Sequence, residues 1–163
     1  MDVKKEYNRA LCDRYPFLIP SNPWSGKRIT EGAGFWSGAP EDIPEYDFEY
    51  TELDLMAAGW RKAFGILLCD ELLTELLRAN ALELYRITDI KEKRGFLRWY
   101  DNGNTEHGYR IIGKYQRLSR FTCIDCGRPA TKVTLGWISP YCDACCPDDR
   151  NMPVEEYWNM RAD

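Results

Sequence analysis

The most regular pattern of apolar and polar positions lies between residues 67 and 79. Apolar residues recur there every three or four positions, which places them on one stripe of a helix. The stripe consists of Leu68, Cys69, Leu72, Leu73, Leu76 and Leu77. The opposite face carries Asp70, Glu71, Thr74, Glu75 and Arg78. The pattern predicts one long amphipathic helix over residues 51–81, with Thr51 as its N-cap.

This helix is not expected to be straight. On an ideal helical wheel, Trp60 and Phe64 point away from the stripe, although both are large apolar side chains. A break or kink near Gly59 or Gly65 would return them to the buried face. Cys69 lies on the stripe itself and is expected to be a small buried residue.

Four other segments complete the prediction of an α+β fold. Residues 1–14 predict a short helix, residues 84–101 a β-hairpin and residues 108–120 a short basic amphipathic helix. Residues 15–50 combine Pro and Gly with aromatic side chains, which predicts an irregular, aromatic-rich N-terminal arm packed on the core. The large apolar residues of this arm include Phe17, Trp24, Phe35 and Trp36.

The cysteines are concentrated in the segment "CIDCGRPATKVTLGWISPYCDACC" at residues 123–146. Cys123 and Cys126 form one CxxC pair, and Cys142 and Cys145 form a second pair fifteen residues later. This spacing is typical of a zinc site, because two CxxC turns supply the four soft ligands of a zinc tetrahedron. The sequence therefore predicts one structural Zn²⁺, with a redox dithiol, a disulfide or a chance cluster as alternatives.

A fifth cysteine, Cys146, directly follows the second pair. It is expected to be an inert neighbour of the ligand Cys145 that faces away from the metal. The alternative is that Cys146 replaces Cys145 as the ligand, because an x3 spacing is also permitted.

The residues between and after the CxxC pairs predict a small β-rich lobe. Residues 132–135 and 137–139 are expected to form two strands that turn at Gly136, the layout of a zinc ribbon. A helix in "VEEYWNM" would make the lobe closer to a treble clef. Residues 1–120 are thus predicted to form the core with its arm, and residues 121–163 a zinc-ribbon-like lobe packed on that core.

Charge is strongly segregated along the chain, although the net charge is only −4. Residues 41–56 carry seven acids and no base, whereas residues 86–135 carry eleven bases and five acids, which is a net +6. The candidate acidic surface comprises Glu41, Asp42, Glu45, Asp47, Glu49 and Glu52. The candidate basic binding surface comprises Lys91, Lys93, Arg94, Arg98, Trp99 and Tyr100. The two segments are expected first of all to pair with each other within the fold.

Several classes of protein are disfavoured. No stretch approaches the roughly 18 apolar residues of a membrane span, and the N-terminus lacks the apolar core of a signal peptide. A cytoplasmic location is therefore expected, where thiols stay reduced and bind metal. His107 is the only histidine, and no Ser or Cys nucleophile has it as a partner in sequence context. No catalytic residue is predicted, and a non-enzyme is favoured over an enzyme.

The strand motif KEK-x-G-x-LR-x-Y, at residues 91–100, and the following CxxCG…CxxC pairs resemble a group of small proteins of bacteria, phages and other mobile elements. The resemblance covers about residues 15–146. It implies that Cys123, Cys126, Cys142 and Cys145 are the metal ligands, and it names no substrate. Its phage context implies a protein that binds and redirects host machinery.

These observations predict a non-catalytic, zinc-binding interaction protein of phage or mobile-element origin. A protein partner is favoured over nucleic acid, and no membrane contact is expected. Alternatives are an anti-defence protein such as an inhibitor of a CRISPR effector, a direct DNA- or RNA-binding protein, a metal-dependent nuclease, and a subunit of a phage particle. Oligomeric state is left open.

Overall fold

The structure, a computed structural model, describes residues 2–22, 26–29 and 46–161. Three of the predicted arm aromatics and three of the predicted acidic residues lie outside these ranges. They are Trp24, Phe35, Trp36, Glu41, Asp42 and Glu45.

The chain begins with helix α1 (Val3–Arg14), as predicted. The carboxylate of Asp2 accepts hydrogen bonds from the backbone N–H groups of Lys4 (3.0 Å) and Lys5 (3.3 Å), which caps the first turn. A 3₁₀ turn, Pro16–Leu18, follows and buries Phe17 and Leu18 completely. This part of the arm therefore packs on the core.

The predicted long helix is divided into segments. Thr51 begins a separate 3₁₀ turn, Glu52–Leu55, where its backbone N–H donates to Asp54 (2.7 Å). The helix proper starts later with α2 (Ala58–Trp60), continues through a π-helical turn (Arg61–Gly65) and becomes α3 (Ile66–Arg78). The prediction that Thr51 caps the long helix was wrong, because the chain turns between Met56 and Ala58 before the helix begins.

The π-helical turn is the predicted irregularity near Gly65. A π turn accommodates one extra residue, so it rotates the helix preceding it relative to the helix following it. Trp60 and Phe64 consequently reach the same core as Leu68 and Leu72, and all four are buried. The apolar stripe is continuous only because the helix changes type here.

Two positions of α3 depart from the predicted faces. Leu77 is exposed, whereas Glu75 is buried on the face that the pattern assigned to solvent. The Glu75 carboxylate accepts two hydrogen bonds from Arg78 (2.7 and 2.8 Å) and one from the Thr105 hydroxyl (2.9 Å). Arg78 lowers the pKa of Glu75 to about 2, so the buried carboxylate stays ionised and satisfied.

Strands β1 (Arg86–Lys93) and β2 (Phe96–Asn102) form the predicted antiparallel hairpin. Arg94 and Gly95 both have positive φ (54° and 89°), which is the requirement of a type I′ turn. A bulge between Ile87 and Asp89 interrupts the alternation, so that Ile87 and Ile90 both point into the core.

Helix α4 (Glu106–Ser119) packs on both α3 and β2. The hydroxyl of Thr105 caps it by accepting from the backbone N–H of Gly108 (2.9 Å). His107 lies exposed in its first turn.

The remaining chain, residues 121–161, is here called the C-terminal lobe. Its sheet contains β3 (Lys132–Thr134), β4 (Pro140–Tyr141) and β5 (Asn151–Pro153), with β3 in the centre and antiparallel to both neighbours. Helix α5 (Val154–Met160) follows within "VEEYWNM". The prediction of a second strand at residues 137–139 was wrong, because these residues form the connection after β3 and the second strand is Pro140–Tyr141. The third strand was not predicted. Together the elements confirm a mixed α+β fold.

The buried apolar residues form two clusters. The larger cluster joins α1, the long helix, the hairpin and α4, with Trp60, Tyr15 and Tyr85 among its largest buried side chains. The smaller cluster belongs to the C-terminal lobe and consists of Ala130, Val133, Val154 and Tyr157. Within the described residues, the helices are too short or too polar to cross a bilayer.

Candidate metal centre

Cys123, Cys126, Cys142 and Cys145 come together as predicted and are here called the four-cysteine cluster. Their four sulfur atoms all lie within 4.8 Å of one another. The Sγ atoms of Cys126 and Cys142 are 3.6 Å apart, which is too long for a disulfide at about 2.05 Å. In a tetrahedron with Zn–S distances near 2.3 Å, the sulfurs would be about 3.8 Å apart. The four-cysteine cluster therefore has a size that suits a tetrahedral metal ion such as zinc.

The first CxxC turn has a specific backbone conformation. The N–H of Cys123 donates to the carbonyl of Arg128 (2.7 Å), and the N–H of Gly127 donates to the carbonyl of Cys123 (3.0 Å). Gly127 has φ +81°, and a Cβ atom there would lie 2.6 Å from the Gly59 carbonyl oxygen. Both the left-handed conformation and the close contact require glycine at this position.

In the second CxxC turn, one carbonyl oxygen accepts two backbone hydrogen bonds. The backbone N–H groups of Cys145 (3.3 Å) and Cys146 (3.1 Å) both donate to the carbonyl oxygen of Cys142. This turn directs the Cys142 and Cys145 thiols towards the first pair.

The thiols of the four-cysteine cluster influence one another's ionisation. Burial favours a higher pKa for Cys142, but hydrogen bonds from the Cys145 backbone and the neighbouring thiols lower that pKa to about 7. Hydrogen bonds with Cys142 and Cys126, together with burial, raise the pKa of Cys145 to about 12. Four thiolates this close repel one another, so a cation would be needed to hold all of them ionised.

Cys146 lies outside the four-cysteine cluster. Its thiol donates to the carbonyl oxygen of Asp148 (3.4 Å) and accepts from the side-chain amide of Asn151 (3.7 Å). Its orientation agrees with the prediction that Cys145 is the ligand and Cys146 its neighbour.

The four-cysteine cluster is joined directly to the core. The indole N–H of Trp60 donates to the carbonyl oxygen of Thr122 (3.0 Å), and the backbone N–H of Gly59 donates to the carbonyl oxygen of Ile124 (2.8 Å). The first turn of the long helix thus lies against the first CxxC turn and is hydrogen-bonded to it.

The hairpin residues of the candidate basic surface divide between its two faces. Lys91, Lys93, Arg98 and Tyr100 lie on the outer face, and Arg94 is exposed in the turn. Trp99 lies on the inner face and is buried, with its indole N–H donating to the hydroxyl of Tyr85 (2.9 Å). Its inclusion in a surface is therefore corrected, because strand alternation turns it towards the core.

The described acidic residues do not form one surface. Asp47 is exposed and pairs with Lys5 (3.0 Å), and Glu49 is also exposed. Glu52 is buried, which corrects its placement on the acidic surface. Asp54 pairs with Arg61. The basic partners of Asp47 and Asp54 therefore lie outside the basic segment of residues 86–135.

Sequence reasoning named Arg94 and Arg98 but missed the groove that they help to line. A groove of about 940 Å³ lies where β2, α4 and α5 meet, and it is here called the arginine groove. Its charged lining consists of Arg94, Arg98, Arg117, Arg120 and Arg161. In the sequence, the groove is indicated only by the excess of basic residues between positions 86 and 135. That segment does not include Arg161, which lies in the acidic tail.

No protein-family model, curated protein or solved structure matches this chain.

Proposed function

We propose that this chain is a non-catalytic interaction protein whose C-terminal lobe is fixed by one structural zinc ion. Cys123, Cys126, Cys142 and Cys145 would hold the ion in a zinc-ribbon-like lobe. The lobe and the core together would present the surface that binds another macromolecule.

The observation that carries this proposal is the position of the four-cysteine cluster at the contact between lobe and core. Four thiolates complete the tetrahedral shell of zinc, so no position is left for a substrate or a reactive water. The backbone of Ile124, within the first CxxC turn, bonds to Gly59 at the start of the long helix. A metal in this place would stabilise the arrangement of two parts of the fold.

Zinc is the metal that the chemistry favours. Thiolates are soft ligands, and a tetrahedral set of four thiolates is typical of zinc or iron–sulfur sites. Cytoplasmic reducing conditions, which are part of this proposal, would keep the thiols available for metal binding. The phage context of the resemblance supports a host or phage macromolecule as the partner, and an anti-defence inhibitor is the narrower form of the same proposal.

Metal analysis of the full-length chain, purified from cells grown without added zinc, tests the metal centre. The wild-type chain is expected to contain one zinc per chain. Cys126→Ser should lose zinc, whereas the matched variant Cys146→Ser should keep it, because its thiol faces Asp148 and Asn151. Fresh wild-type protein without zinc, or zinc loss in Cys146→Ser alone, would contradict the assignment.

Purification of the tagged full-length chain from its host tests the interaction role. A macromolecule is expected to co-purify in fixed proportion, and treatment with nuclease or protease identifies its class. The same molecule should be lost from Cys126→Ser and retained by Cys146→Ser. Retrieval of nothing beyond what an unrelated zinc protein retrieves would count against an interaction protein.

A further inference from the structure

The arginine groove differs from the other charged regions of this surface in its composition. It is lined by five arginines and by Phe96, Tyr157 and Trp158, and among the residues that the structure describes no carboxylate contributes to its lining. Its walls come from β2, α4 and α5, so it exists only when the C-terminal lobe is packed on the core. The groove is therefore a concave, strongly cationic site.

Within the described part of the chain, the groove arginines do not form the carboxylate pairs that other arginines form. Arg14, Arg61, Arg78 and Arg110 each pair with a carboxylate. Among residues 2–22, 26–29 and 46–161, no such ion pair involves the five groove arginines.

Two of these arginines also bury a donor without a hydrogen-bond partner. These donors are the Nε atoms of Arg98 and Arg120. A buried donor without a partner destabilises the protein, and each such case calls for an explanation such as an ordered water or a bound ion.

Aromatic rings hold these guanidinium groups in place. The guanidinium carbon of Arg98 lies 3.8 Å from the ring centroid of Phe96, and that of Arg120 lies 4.5 Å from the same centroid. Arg120 also contacts Trp158, and the Trp158 indole N–H donates to the Arg120 carbonyl oxygen (2.9 Å). A guanidinium that packs against a ring is held in position, and the guanidinium fork matches two oxygens of a phosphate.

We propose that the arginine groove binds the phosphate backbone of a single-stranded nucleic acid. This inference rests on the proposed function and names the class of the partner. It differs from the prediction made from the sequence, which favoured a protein partner over nucleic acid.

The residues beside the groove favour a nucleic acid over an acidic peptide. Phe96, Arg98 and Tyr100 alternate along the outer face of β2, and Lys91 and Lys93 lie on the same face of the paired strand. The cationic and aromatic side chains therefore lie side by side along one surface. A single strand presents phosphates and unstacked bases together, whereas an acidic peptide would use only the charges.

The proposal is tested with the zinc-loaded full-length chain and fluorescein-labelled single strands, a 20-nucleotide oligo(dT) and an RNA of mixed sequence. Fluorescence anisotropy is measured from 50 to 200 mM NaCl. Each phosphate neutralised on a single strand contributes about −0.7 to the slope of log affinity against log salt. Engagement of all five arginines would give a slope of about −3.5.

The decisive variant is Arg98→Gln/Arg120→Gln. It should weaken binding by on the order of tenfold or more, and should make the salt slope shallower by about 1.4. The matched control, Arg9→Gln/Arg110→Gln, removes the same charge outside the groove and should leave affinity within about twofold. Arg98→Lys/Arg120→Lys keeps the charge and should keep most of the salt slope, while it loses affinity because lysine lacks the guanidinium fork.

Three results would overturn the proposal. The first is an absence of binding at 50 mM NaCl by wild-type protein with one zinc per chain, and the second is equal weakening by the groove and control variants. The third is tighter binding to an acidic peptide, measured with labelled poly-glutamate, which would identify the ligand as a protein. Zinc content and co-purification would be unaffected in each case, so the proposed function can stand when this inference fails.

Discussion

At the scale of single residues, Glu52 shows how far burial can change an acidic side chain. It lies in the 3₁₀ turn Glu52–Leu55 and is buried. Burial raises the pKa of Glu52 to about 7, with a smaller increase from Asp89 and an opposing hydrogen bond from the Ser21 backbone. The charged form is therefore disfavoured in the folded protein.

The sign of the pH dependence follows from this raised pKa. An unfolded glutamate loses its proton near pH 4.3, whereas the folded Glu52 keeps it until about pH 7. The folded state therefore binds more protons between these values, and Glu52 makes stability fall as pH rises through this window. Glu52→Gln removes the titration and should gain stability relative to the wild type by roughly 2 kcal/mol between pH 5.5 and pH 8.5.

Urea unfolding of the two proteins at pH 5.5, 7 and 8.5 measures this difference. The contribution of the four-cysteine cluster is common to both proteins and cancels in the comparison. Glu49→Gln is the control, because Glu49 is exposed and its variant should show no trend. A difference between Glu52→Gln and the wild type that stays constant with pH would show that Glu52 is ionised in the folded state.

Single residues were also where the sequence pattern failed most often. Glu75 occupies a polar position of the helical wheel but is buried, because Arg78 and Thr105 satisfy its carboxylate. Trp99 belongs to a basic segment but faces the core. Periodicity assigns each position to a buried or an exposed face. It does not show which neighbouring residue satisfies a polar side chain that is buried.

At the scale of elements, the pattern succeeded where the signal is local. The hairpin turn at Arg94 and Gly95 and the two CxxC turns are encoded within a few residues each. The π-helical turn and strand β5 were not predicted as such. Strand β5 depends on a distant part of the chain, since it exists as a strand only by pairing with β3.

Gly59 shows how closely the long helix approaches the metal segment. A Cβ atom at this position would lie 2.2 Å from the Cys123 carbonyl oxygen and 2.6 Å from the Ile124 carbonyl carbon. These are backbone atoms, so a change of side-chain rotamer cannot relieve the clash. Gly59→Ala should therefore destabilise the protein by about 1–3 kcal/mol, although alanine is the better helix former.

Gly113→Ala is the matched control for this prediction. Gly113 lies inside α4, and a Cβ atom there would have only the flexible end of Arg117 nearby, at 3.4 Å. This variant should be neutral or gain up to about 1 kcal/mol. Urea unfolding compares the two, and competition with a zinc chelator should also show weaker metal retention in Gly59→Ala alone. Equal stability of both variants would mean that the first CxxC turn can move away from the helix.

At the scale of the whole molecule, the features with functional consequences are assembled from separated segments. The arginine groove combines Arg98 of β2, Arg120 at the end of α4 and Arg161 after α5. Residues 136–163 carry two bases and six acids. Counting charges along the sequence therefore places Arg161 in an acidic tail. The four-cysteine cluster was predictable because its spacing is local, whereas the groove depends on how the C-terminal lobe packs.

The two buried clusters predict how the chain responds to loss of metal. The cluster of the lobe, formed by Ala130, Val133, Val154 and Tyr157, is small, whereas the core cluster joins α1, the long helix, the hairpin and α4. A structural metal supplies much of the folding free energy of a small lobe. A strong chelator should therefore unfold the C-terminal lobe and leave the core folded.

Hydrogen exchange of the full-length chain with and without chelator tests this prediction by location. Amides of β3 and β5 should lose protection, those of α3 should keep it, and the Trp60 indole N–H should exchange faster because its acceptor at Thr122 is released. Oligonucleotide binding should fall at the same chelator concentration, because α5 forms one wall of the arginine groove. Unfolding of core and lobe in a single step would show instead that Gly59 and Trp60 couple them into one cooperative unit. Unchanged protection of β3 and β5 would show that the four-cysteine cluster does not stabilise the lobe.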